Sequence, residues 1–179
     1  MRSRILPALL LAFSAGLGHA ADFTLSSADV APQARIGRAF VYDELGCAGG
    51  NRSPALQWRD APAGTAGFAV TVFDPDAGSG GWWHWLVVDL PAQAAGLPAD
   101  ASRTGLPAPA RQLRNDFGRR GYGGPCPPPG QPPHRYVFTV YALKSARLDL
   151  PEAVDGAGAD AAIRQQALGA ASFTALYGR

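Results

Sequence analysis

The chain has 179 residues, two cysteines and a formal net charge of +2, with 16 basic against 14 acidic side chains. That length supports one domain with a sizeable core, and the weak charge excludes a general electrostatic pull on nucleic acid or anionic membranes. The amino-terminal stretch runs Arg2 and Arg4, an apolar segment from Ile5 to Leu17, then Gly18-His19-Ala20. This basic–apolar–small order is that of a secretory signal peptide, and the apolar segment is shorter than the about 20 residues a bilayer span requires. Cleavage is expected after Ala20, leaving residues 21–179 as a single domain. Removing Arg2 and Arg4 brings the basic count to 14 and the balance to zero. Any anion must then be held by local geometry. Export also places Cys47 and Cys126 in an oxidising compartment, where an even count reads as a disulfide.

Along the mature chain, Phe23 to Ser26 alternates as a first strand and Arg38 to Tyr42 as another. Gly46 to Pro54 is turn-forming, and Leu56 and Trp58 alternate with polar neighbours in a third strand. Phe68 to Phe73 is apolar on both faces, which predicts a central strand buried on two sides. Its partner runs from Trp82 to Val88. Alternation places Trp82, His84, Leu86 and Val88 on one face and Trp83, Trp85 and Val87 on the other. A long connection rich in alanine, proline and arginine follows from Pro91 to Gly121, where functional or short local structure is expected. The proline-rich path from Gly121 to Pro133 cannot donate to a sheet ladder. Arg135 to Leu143 is again a strand.

The final segment changes period. Asp160 is expected to cap a helix through Ile163 and Leu168 that ends at Gly169. Ala170 to Tyr177 reads as a second short helix, with Phe173, Leu176 and Tyr177 inward. The fold class is therefore mainly β, an antiparallel sandwich with a short C-terminal helix or helices.

The chemistry concentrates between the two central strands, in Asp74-Pro75-Asp76 and the Gly78-Ser79-Gly80-Gly81 turn. After leader removal the remaining histidines are His84 and His134. Asp74 and Asp76 could accept protons from imidazole N–H groups and aim the second ring nitrogens into a pocket. Two carboxylates so close need a neutralising histidine, arginine or backbone donor. A surface turn and two core histidines are the plainer alternatives. Two histidines with one carboxylate are also the donor set of a metal site, a reading ranked below plain binding. No serine sits in a glycine-flanked elbow.

The stretch Phe73 to Trp85, including Trp82-Trp83-His84-Trp85, resembles the signature of the phosphatidylethanolamine-binding protein family, in its bacterial Raf kinase inhibitor-like branch. So do Gly123-Gly124-Pro125-Cys126-Pro127-Pro128 and His134-Arg135-Tyr136-Val137-Phe138. Asn51-Arg52-Ser53-Pro54 and Tyr177-Gly178-Arg179 extend the likeness over nearly all of the chain after residue 22. The resemblance implies a Greek-key-like β-sandwich with a small pocket for phosphate-type anions or phospholipid headgroups. Carried over by motif, its ligand-binding wall is Asp74, Asp76, Trp82, His84, Gly124, Pro127, Pro128, His134 and Tyr136, closed by Tyr177. It implies a periplasmic, non-enzymatic binding protein without cofactor or metal. The alternative is an inhibitor or regulator of a protein partner, such as a protease or kinase-like protein. Gly78 stands where relatives often have proline, and the Ala77-to-Gly81 loop is much shorter than in eukaryotic members. A kinase-binding role that needs that loop is therefore not carried over.

Overall fold

The computed structural model describes residues 22–179; the leader segment lies outside the described residues. Two antiparallel sheets form the domain. The smaller pairs β1 (Thr24–Ser26), β2 (Leu56–Arg59) and β5 (Gly96–Leu97) in the order β1-β2-β5. The larger contains β3 (Gly67–Asp74), β4 (Trp82–Pro91), β6 (Arg111–Gln112), β7 (His134–Leu143) and β8 (Ala167–Tyr177), in the order β6-β4-β3-β7-β8.

The two-sided apolar character of β3 has a direct cause. One face (Phe68, Val70, Val72) joins Trp85, Phe138 and Phe173 in the core, where Leu56 and Trp58 of the smaller sheet also pack. The other face is covered by helix α2 (Gly156–Gln166), which brings Ala159 and Ile163 against Ala69, Leu86, Tyr141 and Leu143. A strand buried between β4 and β7 and roofed on both sides has no wet face to make polar. The connection from Pro91 to Gly121 holds the short local elements expected of it: β5, the single helical turn α1 (Ala101–Thr104) and β6.

Four local expectations are corrected. Arg38 to Tyr42 is not a strand: residues Arg38–Phe40 form a 3-10 turn. The N-cap of helix α2 is Asp155, five residues before Asp160, and its side chain accepts from the Gly158 N–H at 2.7 Å. Asp160 lies within the helix and accepts from Arg164 Nε at 2.6 Å and from the Tyr141 hydroxyl at 3.1 Å. The helix ends at Gln166 rather than Gly169, and Ala170 to Tyr177 is strand rather than a second helix. Phe173, Leu176 and Tyr177 fit helical spacing, but Ala171, Phe173 and Ala175 are the buried set, and their period is two. The open edge of β7 decides the matter: β8 pairs with it from His134↔Tyr177 to Leu143↔Ala167 and satisfies its backbone groups.

The face assignment of β4 also changes. Val72 pairs with Trp85 and Phe73 with Trp83, so His84 is the extra residue of a β-bulge. The bulge breaks the alternation: Trp85 and Val87 stay in the main core, Trp83 packs with Leu86 and Val88 on the α2 side, and His84 turns toward Tyr136.

Candidate functional site

The bulge sits at the end of the larger sheet, beside a pocket of about 460 Å³. Three strands supply its polar floor. Asp74 is the last residue of β3, His84 lies in the β4 bulge, and His134 and Tyr136 open β7 on one face, two residues apart. All four are buried. Loops supply the walls: Leu45, Ala77 to Gly81, Phe117, Cys126, Pro127, Pro128 and Gln131, with Trp82 at the rim.

The floor is wired by hydrogen bonds. His134 Nδ1 donates to Asp74 Oδ2 at 2.8 Å, and the other Asp74 oxygen accepts from the Asp76 N–H at 2.8 Å. The second nitrogen of His134 lies 2.9 Å from the Gln131 side-chain amide. That amide can serve either protonation state, offering its N–H₂ to a neutral ring and its carbonyl to a charged one. His84 Nδ1 donates to the Gly123 carbonyl at 2.6 Å, which leaves Nε2 as the lone-pair nitrogen of a neutral ring. Burial holds that ring neutral, pushing its pKa down to about 4 against the opposing pulls of the Gly123 carbonyl and the Asp74 charge. His84 at neutral pH is therefore an acceptor at Nε2, not a donor to an oxyanion.

Tyr136 differs from its neighbours. Its hydroxyl is buried and has no hydrogen-bond partner among the described residues. Burial, then the nearby Asp74 charge and the hydroxyl's approach to that carboxylate, raise its pKa, so it stays a protonated donor, although no bond to Asp74 reaches hydrogen-bonding geometry. Aromatic edges complete the floor: His84 meets Tyr136 at 5.1 Å and Phe117 at 5.4 Å, both edge-on.

Seven residues of the motif-based set thus line one pocket: Asp74, Trp82, His84, Pro127, Pro128, His134 and Tyr136. Three do not. Asp76 points away, clamped by Arg135 through the backbone N–H at 2.8 Å and Nη2 at 2.7 Å. That guanidinium holds the Asp76 carboxyl down at about 2. Gly124 makes a close approach to protein rather than to a ligand site: a side chain there would collide with the backbone of Phe40 to Tyr42, and its N–H donates to Asn51 Oδ1 at 2.8 Å. Tyr177 is paired with His134 across the strands and lines a different groove, under the Arg35 guanidinium.

The loop wall is pinned by the Cys47–Cys126 disulfide, which joins the 44–48 loop to the Pro127-Pro128 segment across 79 residues of sequence. Gly81 has φ +73°, and a side chain there would strike the Phe73 ring, so the turn beside Trp82 requires glycine. Leu45, Phe117 and Gln131 were not singled out from the sequence. Phe117 did carry a signal, as the sole aromatic side chain between Pro91 and Gly121. Leu45 and Gln131 carried none.

Comparison with known proteins agrees with the fold. A family model described as phosphatidylethanolamine-binding protein matches residues 26–178. The UPF0098 protein YbcL of Escherichia coli is 43% identical over 172 residues, covering 94% of each chain. Its crystal structure, described as a new member of the mammalian PEBP family, superposes with a TM-score of 0.86 at 42% identity, covering 89% of this chain and 99% of that one. The putative lipoprotein LppC of Mycobacterium tuberculosis is 41% identical over 134 residues, covering 75% of this chain and 64% of that protein.

Proposed function

Because the chain belongs to the phosphatidylethanolamine-binding protein family, we propose that its pocket binds a small phosphate monoester or phospholipid headgroup without chemical turnover. The observation that carries this reading is the Tyr136 hydroxyl, a buried donor with Asp74 nearby but no protein acceptor in hydrogen-bonding geometry, among the residues lining a pocket. An orphaned buried hydroxyl costs about 1–3 kcal/mol, and a ligand oxyanion that accepts from it offsets that cost. The Gly78-to-Gly81 backbone offers further N–H groups to phosphate oxygens. The lone pair at His84 Nε2 asks for the opposite partner, a P–OH group or an ammonium. One zwitterionic headgroup, phosphorylethanolamine, brings acceptors and a donor together.

A binding role also suits the way the reactive groups are engaged. His134 is tied to Asp74 and Gln131, His84 to Gly123, and both cysteines are bonded to each other. Of the donor set weighed for a metal, His84 Nε2 keeps a free lone pair, whereas Asp74 is engaged by His134 and the Asp76 N–H and the second nitrogen of His134 by Gln131. Export to the periplasm fits the leader-like residues 1–20, the disulfide, and a relative named as a lipoprotein.

Calorimetric titration with phosphorylethanolamine tests the site in the parent and in Tyr136→Phe. Removing the hydroxyl should weaken binding about tenfold while leaving the denaturation midpoint equal or higher, since a buried unpaired donor disappears. Equal affinity in the two proteins would remove Tyr136 from the site. A midpoint that falls would mean the hydroxyl has a structural partner.

A further inference from the structure

On the far side of the disulfide-pinned loop lies a second groove, of about 500 Å³, lined by Arg35 to Arg38, Gly46 to Ala48 and Tyr177. Its chemistry is the reverse of the first pocket's, because its charged groups are guanidinium cations. Each is tethered to backbone carbonyl oxygen. Arg35 Nη2 donates to the Gly178 carbonyl at 2.7 Å, and its guanidinium carbon sits 4.9 Å above the Tyr177 ring. Arg38 Nε donates to the Ala48 carbonyl at 3.2 Å. Arg179 lies beside the groove rather than in its lining: Nε donates to the Pro127 carbonyl at 2.7 Å and Nη2 to the Leu45 carbonyl at 3.5 Å, which leaves Nη1, 3.6 Å from where a side chain at Gly46 would begin.

Among the described residues none of these three arginines makes an ion pair, which they share with Arg52, Arg59, Arg114 and Arg147, whereas Arg103, Arg111, Arg119, Arg120, Arg135 and Arg164 each face a carboxylate. A solvated arginine on a flexible stem loses entropy when it binds. One held by a carbonyl or stacked on a phenol has already lost much of it and keeps other N–H groups open. In a mature chain with no net charge, three such cations around one groove form a local positive field.

We propose that this groove is a second anion site, separate from the Tyr136 pocket, that binds a phosphoryl group through the free N–H groups of Arg35, Arg38 and Arg179. Guanidinium forks match phosphate oxygens in pairs. The site is specific for phosphoryl oxyanions, whether carried by a soluble pyrophosphate-like compound or by an anionic lipid headgroup at a membrane surface. It stands independently of the function assigned to the first pocket.

The test titrates the full exported chain with inorganic pyrophosphate, and separately with vesicles of phosphatidylglycerol against vesicles of phosphatidylcholine. Four proteins are compared: the parent, Arg38→Gln, the Arg35→Gln/Arg38→Gln pair, and Tyr136→Phe. Arg38 bonds only the Ala48 carbonyl with its side chain, so Arg38→Gln guards against a folding artefact in the pair. The expected result is saturable binding of at least one probe by the parent, weakened several-fold in Arg38→Gln and by at least about tenfold in the pair. Tyr136→Phe should retain that binding. Pyrophosphate binding identifies a soluble ligand class, and binding to phosphatidylglycerol vesicles alone identifies a lipid-borne one. The proposal is overturned if the parent binds neither probe, if the pair binds as the parent does, or if the loss appears in Tyr136→Phe instead.

Discussion

The two sides of the Tyr136 pocket are built on different principles. The floor comes from strands: Asp74, His84, His134 and Tyr136 are anchored in β3, β4 and β7 and buried, and the first three are locked by hydrogen bonds 2.6–2.8 Å long. The wall comes from loops: Leu45, Phe117, Pro127 and Pro128 present apolar surface, and Leu45 is 68% exposed. A sheet ladder fixes backbone positions along its whole length and so can hold polar atoms to a few tenths of an ångström. A loop has no ladder, and here a covalent bridge does the holding. The division predicts that the floor fails through unpaired polar groups and the wall through lost chain constraint.

The largest expected effect breaks the wall. Cys47→Ser with Cys126→Ser opens a constraint spanning 79 residues, for which the chain-entropy model gives about 4–5 kcal/mol. Urea melts of the parent and the double variant measure it. A loss below about 1 kcal/mol would mean that ordinary loop contacts hold the wall. The floor is broken next by Asp74→Ala, which strands the His134 Nδ1–H and the Asp76 N–H at a cost of about 1–3 kcal/mol each. A midpoint within error of the parent would show those donors finding water instead.

Acid should attack the floor as well. His84 has a folded pKa of about 4 against an ordinary 6.5, so the unfolded chain takes up the proton first. Stability from this group is complete above pH 6.5 and is lost as pH falls from there toward 4. Melts across that window should show a shallower loss for His84→Gln than for the parent; parallel curves would place the acid sensitivity elsewhere. The smallest effect is expected at Asp76. Its partner Arg135 has a 58% exposed side chain, and exposed pairs contribute about 0–1 kcal/mol. Asp76→Ala should therefore shift the midpoint far less than Asp74→Ala. Because the side chain points away from the pocket, phosphorylethanolamine affinity should also stay near that of the parent. A large loss of affinity at Asp76 would return it to the site.

Patterning alone made β2, β3, β4 and β7 legible, because a buried strand writes its burial into consecutive residues and central strands have no wet face to confuse the pattern. The likeness of motifs named the pocket residues that project from those strands. The failures share a cause. Tyr177 and its strand read as helix because alanine-rich sequence is compatible with both periods, and only the open edge of β7 selects one. Asp76 read as ligand-facing because spacing along the chain does not reveal that Arg135 lies across the sheet from it. Gly124 read as a ligand contact because the need for glycine is visible in sequence but not the backbone that imposes it.

His84 makes the distinction sharpest. The residue and its tryptophan-rich strand are plain in the sequence, and so is its place beside a carboxylate turn. Its direction is set by a bulge, its tautomer by the Gly123 carbonyl, and its charge by burial. Residue types and local periods follow from covalent order, so β2, β3, β4 and β7 and the side chains that project from their ends were determined by the sequence itself. Which atom faces the pocket, and in which protonation state, depends on partners on other elements, from Val72 and Phe73 on the neighbouring strand to Gly123, 39 residues away, and only the assembled sheets and loops bring those partners together.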